Sequence, residues 1–216
     1  MSEGTIQTLK KHLGINFLEA LSSKHGLPFI TFMFFQYVNH GMWVMVILGA
    51  QNLYKQYMML EPDEMAFYIS IIHLPWTIKI FYGIMSDNVP IFGYFRKSYL
   101  ILMGLLQFVT LLSIYKGELY NEPLRFTILL TVANFSEAVV NVVTDAILCI
   151  EARKDKENGS KNLFSVVWVS SALGGIAGGL LGGYFTEYSH PKYIFCMYSV
   201  MGLFISLLGA NITEKD

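Results

Sequence analysis

Four polar side chains follow one another inside an otherwise apolar stretch: Asn134, Glu137, Asn141 and Asp145, at spacings of three, four and four residues. At 100° per residue they fall at about 0°, −60°, −20° and +20° around a helix axis and run some 16 Å along it. Keeping a charged carboxylate in the apolar middle of such a helix costs roughly 3 kcal/mol on insertion scales, so the stripe is expected to face protein or a wet cavity. There, Glu137 and Asp145 can bind and release protons, or hold a substrate. The structural alternative is adhesion, in which the same side chains hydrogen-bond a neighbouring helix.

A second set, Gln36, Asn39 and His40, shares one face of an earlier apolar stretch. Facing the first set, it would line a polar cavity, although a buried histidine bonded to a backbone carbonyl is an equal reading. Further on, His73, Trp76, Lys79 and Ile80 share a side. They make an aromatic and cationic wall suited to a planar anionic ligand, unless Trp76 only packs and Lys79 only snorkels.

These side chains must be positioned by membrane helices. The chain has 216 residues, of which 54% are hydrophobic and 14% charged, against about 25% charged in soluble domains. A bilayer core of about 30 Å needs around 20 apolar residues per helix, and six stretches supply them. They lie near 27–53, 65–86, 98–115, 124–150, 163–185 and 193–210, joined by short polar loops. The fold class is therefore all-α, a polytopic bundle of six transmembrane helices in the lipid bilayer. Residues 27–212 form the bundle, 1–26 an N-terminal segment and 213–216 a tail. In the N-terminal segment Ile6, Leu9, Leu13, Phe17 and Leu21 recur at helical spacing among Lys10, Lys11 and His12. An interfacial amphipathic helix and a disordered tail are both compatible with this.

Lysine and arginine set the orientation. Lys10, Lys11, Lys24, Arg96, Lys97, Arg153, Lys154, Lys156, Lys161 and Lys215 fall on one side, against Lys55, Lys116, Arg125 and Lys192 on the other. Both termini are then expected on the cytoplasmic or matrix side. The net charge of −1 and scattered basic residues give nucleic acid no footprint. The cysteines, Cys149 and Cys196, fall near opposite membrane faces and are not expected to pair.

Between the second and third spans stands Tyr82-Gly83-Ile84-Met85-Ser86-Asp87-Asn88-Val89-Pro90-Ile91-Phe92-Gly93-Tyr94-Phe95-Arg96-Lys97. Asp87 can bond Arg96 and the free amides of the next helix start as a charge-assisted clamp. Gly83 and Asp87 followed by Gly93, Arg96 and Lys97 resemble the signature loop of the major facilitator superfamily. Its lengthened form resembles the folate-biopterin transporter family within it. Pro75, Trp76 and Lys79, then Thr144, Asp145, Ala146 and Glu151, and Trp168 before the glycines of the fifth span are similar to that family too. The resemblance implies transport of a small organic anion such as a pteridine, and makes Gly83, Asp87, Gly93, Arg96 and Lys97 a cytoplasmic latch. A topology anchor is the plainer role for the same loop.

The fifth span carries two glycine ladders, Gly174, Gly178, Gly182 and Gly175, Gly179, Gly183. Each four-residue spacing strips one stripe of side chains, so a neighbouring helix can approach closely or slide.

A transporter of this resemblance has two six-helix halves, and this chain matches the N-terminal one. A fragment, a homodimer half and a subunit of a larger membrane complex are the alternatives, so a partner is expected: a second six-helix half, a homodimer mate or a larger assembly. The rival function is a non-transporting accessory subunit. No Ser-His-Asp set, metal-ligand cluster or Gly-rich phosphate loop occurs at usable spacing, so neither an enzyme nor a cofactor nor a metal is implied.

Overall fold

The structure is a computed structural model and describes residues 15–117, 122–155 and 158–211. The expected interfacial pattern at Ile6, Leu9 and Leu13, the Lys156 and Lys215 charges and the tail 213–216 lie outside the described residues.

Helix α1 (Ile15–His25) precedes α2 (Leu27–Asn52), which ends in a π-turn (Leu53–Tyr57). Then come α3 (Pro62–Thr77), α4 (Lys79–Asn88), α5 (Lys97–Lys116), α6 (Pro123–Ala152), α7 (Gly159–Tyr188) and α8 (Lys192–Ala210). Among the described residues six helices are long and apolar enough to cross a membrane, with α3 and α4 together making one of them. Starts follow ordinary helix chemistry. Pro62 and Pro123 occupy first turns, where a missing N–H costs nothing. Before α3, Glu61 and Glu64 close a capping box.

The second span, expected as one helix over 65–86, is broken. Pro75 cannot donate to the helical ladder, and Ile78 leaves helical geometry at φ −108°, ψ 21°. Thr77 Oγ1 donates to the Leu74 carbonyl at 2.7 Å beside the break.

Packing joins α2 to α7, α5 to α8 and to α6, and α6 to α3 and α4. Each of these contacts runs between the first three spans and the last three. The α2–α7 pair is close because Gly41 and Gly174 face it: a methyl group at Gly174 would lie 2.1 Å from the Val38 carbonyl oxygen. Gly178 and Gly182 continue that contact against Met42 and Met45. The second ladder behaves differently from the expectation. A methyl at Gly175 would only just reach Gly41, and methyls at Gly179 and Gly183 would meet nothing within 4 Å. A 100° step around the helix carries this ladder off the α2 interface.

The core has two apolar parts. One gathers Met33, Tyr37, Leu100, Val140 and Val143. The other gathers Met45, Leu111, Leu130, Phe195 and Tyr198. On α2, α5 and α6 the residues between these clusters include Gln36, Asn39, Gln107, Asn134 and Glu137, all buried. A polar layer therefore divides the core.

Candidate functional site

Glu137 sits in the middle of α6 and is fully enclosed. Its Oε2 accepts from Asn39 Nδ2 of α2 at 3.0 Å and from Gln107 Nε2 of α5 at 3.2 Å. Its Oε1 lies 3.4 Å from His40 Nδ1. Tyr198 of α8 donates to the Asn39 carbonyl at 2.8 Å, with Gln107 and Glu137 beside it. Four spans thus meet on one carboxylate.

Toward α3 and α4 the α6 stripe makes a second set of bonds. Trp76 Nε1 donates to Asn134 Oδ1 at 2.8 Å, and Asn134 Nδ2 donates to the Ile72 carbonyl at 2.5 Å. Lys79 Nζ donates to Asn141 Oδ1 at 2.7 Å and stands 4.6 Å above the Trp76 ring. The His40 ring lies 5.3 Å from Trp76. His40, Trp76 and Lys79 therefore form a continuous aromatic and cationic wall. Further along α6, Asp145 accepts a hydrogen bond from the Tyr37 hydroxyl of α2.

Of the residues singled out from sequence, Asn39, His40, Trp76, Lys79, Asn134, Glu137 and Asn141 come together here, and Asp145 joins them through α2. Gln36 is buried on the same stripe of α2, its amide meeting no protein partner among the described residues. The expected shared face of the second span is divided: Trp76 and Lys79 turn to α6, while His73 and Ile80 are exposed. His73 and Ile80 lie about 100–120° around the helix from Lys79, at the outer edge of the expected arc. Gln107, Tyr198 and Tyr37 were not anticipated. Gln107 and Tyr198 stand in apolar runs with no spacing signal, while Tyr37 lies among Gln36, Asn39 and His40 and reads from sequence as an aromatic packing residue.

The family model described as the BT1 family matches residues 40–216. The chain belongs to the BT1 family. It is 32% identical over 203 residues to probable folate-biopterin transporter 4 of Arabidopsis thaliana, covering 94% of this chain and 41% of that protein. Folate transporter 1 of Plasmodium falciparum is 30% identical, covering 81% and 34%. The folate-biopterin transporter of Synechocystis is 28% identical, covering 74% and 33%. The chain thus spans about two fifths or less of the length of these curated relatives. No solved structure matches it.

In this BT1-family chain the loop between α4 and α5 is tightly built. Arg96 Nη2 donates to Asp87 Oδ1 at 2.7 Å. Ile91 and Tyr94 exchange backbone hydrogen bonds of 3.0 and 3.1 Å around Phe92 and Gly93, both at positive φ. Gly93, at φ 81°, takes its place in that turn without steric cost. Ser98 Oγ donates to the Ile91 carbonyl at 2.6 Å, and Tyr99 donates to the Val89 carbonyl at 2.9 Å. Lys97 opens α5 with its ammonium 5.6 Å over the Tyr94 ring. Gly83 packs beside Val142 of α6. The loop is thus clamped at its base by Asp87 and Arg96.

Proposed function

We propose that this six-helix unit acts as one half of a membrane transporter for a small planar organic anion of the pteridine type. The observation that carries the reading is Lys79. It lies where the second span breaks, partly exposed, and among the described residues no carboxylate pairs with it. An ammonium inside a membrane span without a counter-charge is costly, and a substrate anion would supply that charge. Trp76 beneath it, held by Asn134, offers a fixed ring on which a planar heterocycle stacks. Asn141 orients the ammonium. The names of the relatives, folate and folate-biopterin transporters, favour a pteridine-containing anion.

In this reading Glu137 and Asp145 are the proton-coupling or substrate groups, and Gln36, Asn39, His40, Asn134 and Asn141 line the path. Asp87, Arg96 and Lys97 serve as the latch on the cytoplasmic or matrix side, where both termini lie. A second six-helix unit, from a homodimer mate or another chain, closes the site.

Uptake of labelled folate into proteoliposomes of the purified chain, with its native mass measured in parallel, tests this. Saturable uptake by a dimer or larger assembly, lost in Lys79→Gln and kept in Lys79→Arg, is the expected result. Uptake that ignores Lys79→Gln overturns the assignment of the substrate cation.

A further inference from the structure

On Glu137 and the polar residues of α2 and α5, seven buried polar atoms have no hydrogen-bond partner among the described residues: Gln36 Nε2 and Oε1, Asn39 Oδ1, His40 Nδ1, Trp43 Nε1, Gln107 Oε1 and Glu137 Oε1, of which His40 Nδ1 and Glu137 Oε1 face each other as an ion pair. Gln36, Asn39, His40 and Trp43 are spaced to fall on one stripe of α2. Asn39, His40 and Gln107 all reach Glu137. Buried polar groups in proteins are almost always satisfied, by protein or by ordered water. Four of these atoms are acceptors, two are donors and His40 Nδ1 is either, according to tautomer. Water serves both kinds. A bare cation would leave the Trp43 and Gln36 N–H groups unmet.

Exposure gives the site a direction. The His40 side chain is 30% exposed and that of Glu137 is 0%. Their facing atoms, Nδ1 and Oε1, are 3.4 Å apart.

We infer that Glu137 and His40 form a water-served proton-exchange site, in which His40 is the mouth and Glu137 the enclosed store. A proton is taken from water at His40 Nε2. The Nδ1–H bond then breaks as a new O–H bond forms at Glu137 Oε1, leaving a neutral imidazole with its hydrogen on Nε2. With one proton the pair is electroneutral as imidazolium and carboxylate or as imidazole and carboxylic acid, so neither state buries net charge. Asn39 and Gln107 hold Oε2 and so aim Oε1 at His40.

The other groups facing the pair are few. Tyr198 of α8 lies beside Glu137, and α5 offers uncharged Gln107. Lys79 of α4 lies 4.6 Å from the Trp76 ring of α3, which is tilted by 40° against the His40 ring. His73 of α3 is exposed. Asp145 of α6 is engaged by Tyr37 of α2 two turns away. Against this part of α2, α7 presents Ser171, Gly174 and Gly175. The use of the site in coupling rests on the transport reading; its proton chemistry does not.

Difference infrared spectroscopy of the reconstituted chain, titrated with pH, tests it through the protonated-carboxyl stretch. The expected result is a band that disappears in Glu137→Gln and exchanges with D2O. Its exchange with D2O slows in His40→Gln, because the route from water through the imidazole is gone. Absence of any such band in the wild-type chain, or unchanged exchange in His40→Gln, overturns the inference. Should His40→Gln fail to fold, NMR of wild-type protein with ¹⁵N-labelled histidine decides the same question. A His40 tautomer that changes with the Glu137 transition supports the relay, and one that ignores it refutes the relay. Loss of folate uptake with this transition intact would remove the transport reading alone.

Discussion

The two glycine ladders of α7 should respond oppositely to the same small substitution. In Gly174→Ala the new methyl lies 2.1 Å from the Val38 carbonyl oxygen and 2.9 Å from its carbonyl carbon, where ordinary contact begins near 3.4 Å. The nearest atoms are backbone, so no rotamer change relieves the clash. The helices must part by roughly 1.3 Å locally, and gaps of 0.5–1 Å already forfeit a quarter to a half of each contact's attraction. Overpacking of this kind costs about 1–3 kcal/mol. In Gly179→Ala the methyl meets nothing within 4 Å. The gain in helix propensity, up to about 1 kcal/mol, is then unopposed. Thermal unfolding of the two variants in the same detergent measures the difference. Gly174→Ala is expected to melt well below wild type and Gly179→Ala at or above it. Equal destabilisation by the two would refute the packing argument.

Other outcomes follow from the same contacts. Asn39→Leu removes one of two donors to Glu137 Oε2 and should cost about 1–3 kcal/mol of stability. In a cycle with Glu137→Leu the double variant should lose less than the sum of the single losses, and strict additivity would show that the pair does not interact. The Asp87 and Arg96 side chains are 50% and 23% exposed, and partly exposed pairs contribute about 0–1 kcal/mol. Arg96→Ala should therefore leave the melting temperature nearly unchanged while altering folate uptake. A large loss of stability would make the loop a structural anchor instead of a latch.

The six spans were legible because lipid demands long apolar helices, and the α6 stripe was legible because its spacing of three, four and four residues matches a helix. The Asp87–Arg96 clamp was readable from charge at two helix ends. The lone polar residues were not. Gln107 and Tyr198 sit in apolar runs where nothing local marks them, and only the approach of α5 and α8 to α6 gives them a role. The break at Ile78 had a signal in Pro75, whose missing N–H leaves the Ile71 carbonyl without its ladder bond in the turns just before it. His73 and Ile80 left the expected wall because they lie about 100–120° around the helix from Lys79, at the edge of the arc away from it. The unequal ladders of α7 are identical in sequence spacing, and only the position of α2 tells them apart.

Tryptophan fluorescence offers the most direct measurement of whether the wall of His40, Trp76 and Lys79 receives a planar anion. With Trp43→Phe and Trp168→Phe in place, Trp76 is the sole indole. Folate added to the reconstituted protein should quench it saturably, and Lys79→Gln should weaken the apparent affinity by roughly ten- to a hundredfold, the loss of one charge-assisted hydrogen bond. Quenching that never saturates, or that is indifferent to Lys79→Gln, would contradict the account.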